Sequence, residues 1–114
     1  MKIYVKSSMD TDEIYDIAAI RRVSNVIKNI SKYKSRINSI AKDVITDYLD
    51  NDVIFYDDLR DDIYHDLRKF VCSIAKVDYN QYDLGEDNYD DLVGIAGQLA
   101  QEFADKYNID LIGD

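Results

Sequence analysis

The sequence predicts a mainly α-helical protein of three to four helices, with a small strand element formed by its termini. Apolar residues recur three or four positions apart over most of the chain, the spacing of one helix face. No proline occurs, and all four glycines lie beyond residue 84, so nothing interrupts the helical pattern earlier. The length of 114 residues suits one domain, 1–114. Alternating segments near both ends leave an α+β fold open as the alternative.

The strand element is predicted from KIYVKS at residues 2–7 and NIDLIG at residues 108–113. In the first segment Ile3 and Val5 alternate with more polar neighbours, which is typical of a half-exposed strand. We expect the second segment to form a closing strand beside the first.

A helical pattern runs from residue 12 to residue 49, after an Asp10–Glu13 pair that resembles a capping box. One unbroken helix of that length would measure about 57 Å at a rise of 1.5 Å per residue. A domain of this size has a radius of gyration near 13 Å. We therefore predict a break within 22–35, the alternative being a protruding helix that pairs with a second copy. Asn51 is predicted to end the region, because asparagine tolerates a left-handed cap.

The next helix is predicted from an apolar stripe that runs from Leu59 to Ile74. Aspartates crowd its beginning and basic residues lie towards its end, which suits the helix dipole. VIFY, at 53–56, fits either a short strand or the start of this helix. Cys72 lies near the apolar stripe, and we interpret it as a buried structural thiol.

A last helix is predicted from the stripe that runs from Leu92 to Tyr107. Asn88, with Asp91 three residues later, indicates its start. GIAG, at 94–97, lies inside the helical pattern, and we expect its small residues to let another helix approach closely.

The inventory of side chains predicts no catalytic residue, no cofactor and no metal site, so we predict that the protein is not an enzyme. His65 is the only histidine and Cys72 the only cysteine, which cannot fill a zinc site built from those residues. The two lie about 10 Å apart along one predicted helix, too far for a nucleophile–base pair. No glycine-rich loop is followed by a phosphate-binding lysine.

Acidic runs leave a divalent-cation site as an alternative to a solvated acidic face. Aspartates recur every four residues on the third predicted helix, and one of them lies a turn before His65. A loop could also supply oxygen ligands, although neither arrangement matches the EF-hand pattern. The residues concerned are Asp58, Asp61, Asp62 and Asp66 on the helix, and Asp78, Asn80, Asp83 and Glu86 in the loop.

Charge is distributed unevenly along the chain. Residues 1–42 carry a net charge of +5 and residues 43–114 a net charge of −14. The negative part attracts basic surfaces and repels nucleic acid and phospholipid, which disfavours direct nucleic-acid binding. The basic residues of 21–42 are spread around the polar arc of a helix without a helix-turn-helix signature, and they could instead pair with the acidic part.

We predict that the acidic residues form a surface for a basic protein partner. Carboxylates four residues apart on a helix are separated by about 6 Å, close to the phosphate spacing of one nucleic-acid strand. Tyrosines among them add contact area at little cost in rotamer entropy. The alternative is that these tyrosines pack on the core and the acids only solvate a loop. The predicted partner-binding residues are Asp57, Asp58, Asp61, Asp62, Asp66, Tyr79, Tyr82, Asp83, Glu86, Asp87, Tyr89, Asp90 and Asp91.

The N-terminal sequence MKIYVKSSMDTDE turns acidic too early for a signal peptide, and no apolar stretch reaches membrane-spanning length. A single cysteine excludes an internal disulfide. Together these features predict a cytoplasmic protein with no membrane association.

Size, acidity, the residue usage of an AT-rich genome and the MKIYVKSS opening resemble the small inhibitors made by phages and mobile elements, including anti-CRISPR proteins and DNA mimics. The basic segment 21–42 departs from a uniformly acidic mimic. The resemblance implies an inhibitor that occupies a basic surface of a nucleic-acid-processing effector, such as a CRISPR nuclease, in a bacterial host. It carries no family residues over to this chain. The alternative function is a homo-oligomeric structural or regulatory protein, such as a homodimer, that associates through the 12–49 helical region.

Overall fold

Four α-helices carry the fold in this computed structural model, which describes residues 4–6, 14–78 and 83–113. Their bounds are Ile17–Lys28 (α1), Lys34–Tyr48 (α2), Tyr56–Ala75 (α3) and Glu86–Lys106 (α4). The predicted mainly α-helical class is confirmed.

Two short strands precede the helices, β1 at Tyr4–Lys6 and β2 at Ile14–Asp16. They pair antiparallel, with Val5 opposite Tyr15. Because Ile14–Asp16 is extended, α1 begins at Ile17 rather than near residue 12. The expected capping pair, Asp10 and Glu13, lies outside the described residues.

The expected pairing of the two terminal segments is wrong. β1 pairs with β2, which is close in sequence and therefore costs little loop-closure entropy. Ile112 instead forms a parallel bridge with Phe55, just before α3. Phe55 is extended and Tyr56 begins the helix, so VIFY contains both a strand-like residue and a helix start.

The long helical pattern breaks inside the predicted interval. α1 ends at Lys28, a 3-10 turn spans Ile30–Tyr33, and α2 continues from Lys34. Most apolar side chains of the pattern then face the core of their own chain, among them Val23, Ile27, Ile37 and Val44. The apolar stripe that the homo-oligomer alternative requires is therefore largely covered within the chain.

The predicted left-handed cap at Asn51 is wrong. α2 ends at Tyr48, and a turn closes there because the Asn51 N–H donates to the Tyr48 carbonyl at 3.0 Å. Left-handed residues end the next two helices instead, Lys76 with φ 58° after α3 and Asn108 with φ 56° after α4. In both places an N–H bonds back five residues, which caps the last carbonyls of a helix.

The start of α4 also differs from the expectation. Gly85, with φ 87°, precedes the helix, and its N–H donates to Oδ1 of Asp83 at 2.8 Å. Asn88 is not the cap but is buried in the first turn of α4. Its Nδ2 donates to the carbonyls of Leu84 at 2.7 Å and Ile20 at 3.2 Å, so it ties α4 to α1.

α3 and α4 run antiparallel through the centre of the molecule. Tyr64 contacts Tyr89 near the start of α4, whereas Tyr56 lies against Gly97 further along. A side chain at Gly97 would overlap with the Tyr56 hydroxyl, which confirms the expected close approach at GIAG. The core is built on large buried side chains, with Cys72 among them as predicted: Val23, Ile45, Leu59, Ile63, Leu67, Val71, Cys72 and Leu92.

Candidate partner-binding surface

The antiparallel packing of α3 and α4 brings the two acidic runs of the sequence side by side. The ring centroids of Tyr64 and Tyr89 are 5.3 Å apart, which sets the relative height of the two helices. With about 1.5 Å of rise per residue, Asp66 lies near the level of Asp87, and Asp62 near the level of Asp91. The two runs therefore lie side by side over residues 62–66 of α3 and 87–91 of α4, and the α3 run continues beyond the α4 run towards residue 57.

Every predicted partner-binding residue that the structure describes is at least partly exposed. Asp57 is half-buried, and the remaining described acids are exposed. Tyr89 keeps 49% of its surface exposed, so it is not a core side chain. Tyr79 and Tyr82 lie outside the described residues.

The acids of α3 cover its outward face from the α4 side to the α2 side. At about 100° per residue, Asp57 and Asp61 lie within roughly 60° of Tyr64, which faces α4. Around the helix axis, Asp58, Asp62 and Asp66 lie further from the Tyr64 direction, at about 120°, 160° and 200°. The α2 side is marked by the Tyr48 hydroxyl, which donates a hydrogen bond to Asp62.

The acids of α4 divide between two faces. Glu86 and Tyr89 line a cleft of about 550 Å³ together with Arg68 of α3. Asp87 lines the cleft between α4 and α1, beside Ile20 and Arg21, and Glu86 borders both clefts. At about 100° per residue, Asp87 and Asp91 both lie about 160° from Tyr89, on the side away from α3.

The predicted set therefore contains one continuous surface and some residues outside it. We call the continuous part the α3–α4 acidic surface. Asp87 and Asp91 belong to another face, and Asp83 precedes α4, where its carboxylate is engaged by the Gly85 N–H. The α3–α4 acidic surface consists of Asp57, Asp58, Asp61, Asp62, Asp66, Glu86, Tyr89 and Asp90.

Few cations neutralise this surface from within the chain. Arg60 pairs with Asp57 at 3.4 Å and with Asp61 at 3.0 Å. In the described part of the molecule, Asp58, Asp62 and Asp66 take part in no ion pair. Three carboxylates on successive turns thus lack a cationic partner among the described residues.

Tyr48 is a part of this region that sequence reasoning missed. Its hydroxyl donates to the Asp62 carboxylate and, at 3.3 Å, to the backbone carbonyl of Asp58. Burial raises the pKa of the Tyr48 phenol, and the hydrogen bond to Asp62 and the charges of Asp62, Asp58 and Asp47 raise it further. In the sequence Tyr48 ends an apolar stripe, and only the neighbouring aspartates hinted at a second role.

Tyr64 is the other missed residue. It is buried, its ring packs edge-on against Tyr89, and its hydroxyl accepts a 3.1 Å hydrogen bond from Nη1 of Arg68. His65 contacts the same ring, with centroids 5.5 Å apart. The buried Tyr64 ring therefore supports the exposed Tyr89 ring on the side that faces the core.

No group of three or more His, Cys, Asp or Glu side chains in the described ranges is arranged to hold a metal ion. The proposed loop ligand Asn80 lies outside those ranges. Nor does any described helix combine the length and the apolar character that crossing a bilayer requires.

Comparison with protein-family models, with curated proteins and with solved structures finds no match to this chain.

Proposed function

We propose that this chain is a non-enzymatic binding protein that inhibits a nucleic-acid-processing effector, such as a CRISPR nuclease, by occupying its basic surface through the α3–α4 acidic surface. The observation that carries the proposal is the row Asp58, Asp62 and Asp66, exposed on one helix with no ion pair among the described residues. A partner that presents arginine or lysine would supply the missing cations.

The row costs the isolated chain stability. Like charges four residues apart on a helix destabilise it by roughly 0.2–0.5 kcal/mol per pair. The helix dipole offsets this cost for Asp57 and Asp58 in the first turn of α3, but it does not reach Asp62 or Asp66. Binding to a basic surface would convert this repulsion into attraction.

The carboxylates are also held in place before any partner arrives. The face of α3 that adjoins the row carries Leu59, Ile63 and Leu67, each with no exposed surface. Aspartate has a short side chain, so fixing the helix fixes the charges to within a small volume. This preorganisation lowers the entropy lost on association.

Tyr89 supplies an aromatic contact beside the acids. Its half-exposed ring is supported by Tyr64, and Glu86 lies in the same cleft. An arginine of the partner could stack on the ring while its guanidinium meets a carboxylate. Acids with a nearby aromatic ring fit a basic protein groove better than they fit a free cation.

The proposal is tested by binding to, and DNA cleavage by, a panel of CRISPR effector nucleases, each without guide, with guide, and with guide and target. The chain should bind the nuclease without target more tightly and should slow cleavage. Raised salt should weaken binding, because exposed charges are screened within about 8 Å at physiological ionic strength. Absence of binding to every nuclease, or equal binding with and without target, would refute this partner class.

A charge-matched pair of variants tests the surface itself. Asp58→Asn, Asp66→Asn and Asp90→Asn combined should weaken binding about tenfold or more, mainly through slower association. The control combines Asp43→Asn, Glu102→Gln and Asp105→Asn, which removes the same charge from exposed positions outside the surface. Equal losses in both variants would show that net charge, not this surface, governs binding.

A further inference from the structure

Large apolar side chains are exposed at one end of the helices, where α2 ends, α3 begins and α4 ends. Five of the six exposed large apolar side chains in the described part of the molecule belong to this end, the sixth being Tyr89. We call them the end surface: Leu49, Val53, Phe55, Tyr107 and Ile112, with 36–48% of their surface exposed. Such clustering is unusual, since exposed apolar side chains are normally scattered.

The parallel bridge between Phe55 and Ile112 organises the end surface. The Ile112 N–H donates to the Ile54 carbonyl at 2.9 Å, and the Tyr56 N–H donates to the Ile112 carbonyl at 2.9 Å. Because side chains alternate along a strand, Val53 and Phe55 share the outward face while Ile54, 4% exposed, turns inward. Leu49 and Tyr107 line an adjoining cleft.

The same segment presents an open backbone edge. Both polar backbone groups of Ile112 point towards Ile54 and Tyr56. The Leu111 carbonyl and the Gly113 N–H, which belong to the same two trans peptide groups, therefore point to the opposite side. No hydrogen bond within the described ranges reaches the backbone of Leu111 or Gly113. Gly113 is exposed, and unpaired strand edges of this kind are templates for an added strand.

Charge around the end surface indicates what would cover it. Residues 49–55 and 107–113 contain three aspartates, Asp50, Asp52 and Asp110. The one adjoining cation is Lys106, at the end of α4, which lies over the Phe103 ring. All three aspartates are exposed, and two of them line the Leu49–Tyr107 cleft. A second copy of the chain would bring the same aspartates against one another, so self-association at this end is disfavoured.

We infer that the end surface binds an extended, positively charged segment of a partner protein, which adds as a strand to the Leu111–Gly113 edge. The backbone edge supplies affinity in such complexes and the flanking side chains supply selectivity. Apolar side chains of the segment would cover Phe55 and Ile112, while its lysines or arginines meet Asp52 and Asp110. None of these residues belongs to the α3–α4 acidic surface, so the two proposals stand or fail separately.

The inference is tested by a nuclear magnetic resonance titration of the full chain. The ligand is a short peptide of alternating lysine and valine with blocked ends. The amide signals of Leu111 and Gly113 should shift, and their hydrogen exchange should slow. A peptide of alternating glutamate and valine is the control and should leave both signals unchanged. Shifts confined to α3 and α4, or equal shifts with both peptides, would overturn the inference.

Two variants of Gly113 separate strand addition from general attraction. Gly113→Pro removes the edge N–H, while Gly113→Ala keeps it and puts a methyl group into open space. The proline variant should bind the lysine–valine peptide about fivefold more weakly than the alanine variant, the effect of one hydrogen bond of about 1 kcal/mol. Equal affinities would exclude strand addition at this edge.

The neutralised variant Asp58→Asn, Asp66→Asn and Asp90→Asn distinguishes the two surfaces. At raised salt it should still show the Leu111 and Gly113 shifts with the lysine–valine peptide. Loss of these shifts would mean that the peptide binds only the α3–α4 acidic surface, and the end surface would not be a separate binding site.

Discussion

Nδ2 of Asn88 on α4 lies 3.2 Å from the carbonyl oxygen of Ile20 on α1, and it donates a hydrogen bond across 68 residues of sequence. The same amide donates to the carbonyl of Leu84 at 2.7 Å. Asn88 is the one buried polar side chain in the described part of the molecule, with 4% of its surface exposed. It therefore connects the first helix, the segment before α4 and α4 itself.

Replacing this side chain should destabilise the protein. Asn88→Leu leaves the Leu84 carbonyl without its donor and removes the cross-link to Ile20, whose carbonyl keeps its bond within α1. We expect a loss of about 1–3 kcal/mol in the free energy of unfolding. Urea denaturation measures the loss. Gln98→Leu, an exposed position on the same helix, is the control and should change stability by less than about 0.5 kcal/mol. Equal effects of the two substitutions would contradict this role of Asn88.

Gly97 and Gly94 should respond oppositely to alanine. A Cβ at Gly94 meets nothing within 4 Å, so Gly94→Ala should stabilise α4 by roughly 0.5–1 kcal/mol. A Cβ at Gly97 overlaps with the Tyr56 hydroxyl, so Gly97→Ala should destabilise by about 1–3 kcal/mol.

Removing the hydroxyl tests the cause of that clash. The ring carbon that bears it lies 3.5 Å from the added Cβ, an ordinary contact distance. In a Tyr56→Phe background, Gly97→Ala should therefore cost much less than in the native chain. A thermal-unfolding cycle of the four proteins measures this coupling. If the cost is the same in both backgrounds, Tyr56 is not what prevents a side chain at Gly97.

Tyr48 should deprotonate only above the usual tyrosine range. Burial and the hydrogen bond to Asp62 raise the pKa of its phenol. Asp62→Asn should lower that pKa, because it removes one charge and weakens the acceptor. Ultraviolet absorbance titration, with Tyr48→Phe to identify the signal, measures the shift. Asp66→Asn is the matched control, and a similar effect in both variants would mean that general charge sets the pKa.

The same shift has a consequence for stability at high pH. The folded chain keeps the Tyr48 proton at pH values where the unfolded chain loses it. The stabilisation from this proton is thus fully present below a pH of about 10, the ordinary tyrosine pKa, and is lost as the pH rises towards the folded pKa. The free energy of unfolding of the Tyr48→Phe variant, measured by urea unfolding, should therefore decrease less steeply with pH over that interval. If the dependence of the unfolding free energy on pH were the same in the variant and the native chain, the raised pKa of Tyr48 in the folded state would be contradicted.

The Cys72 thiol should react slowly in the native state. It is 1% exposed, and burial raises the pKa of the thiol, so little reactive thiolate reaches the reagent. Labelling with a thiol reagent at neutral pH should be at least about a hundredfold slower than for the unfolded chain in urea. Labelling at the unfolded rate would show that α3 opens freely at this position.

Local patterns predicted the helices well. The stripes of α3 and α4 were readable because apolar residues at helical spacing must share one face, and burying that face is the main source of stability. The break between α1 and α2 followed from length, since one helix over 12–49 would exceed the dimensions of the domain. Four of the five acids of α3 are exposed and Asp57 is half-buried, because nothing in a core could satisfy so many charges.

Contacts between residues distant in sequence decided the rest. The partner of β1, the bridge from Ile112 to Phe55 and the burial of Asn88 depend on where the helices come to lie. The same holds for the α4 acids, where Glu86 borders the clefts towards α3 and α1 while Asp87 lines only the one towards α1. Helical spacing tells which residues share a face but not which neighbour that face meets. That choice follows from packing the apolar sides of four helices against one another, which local spacing does not encode.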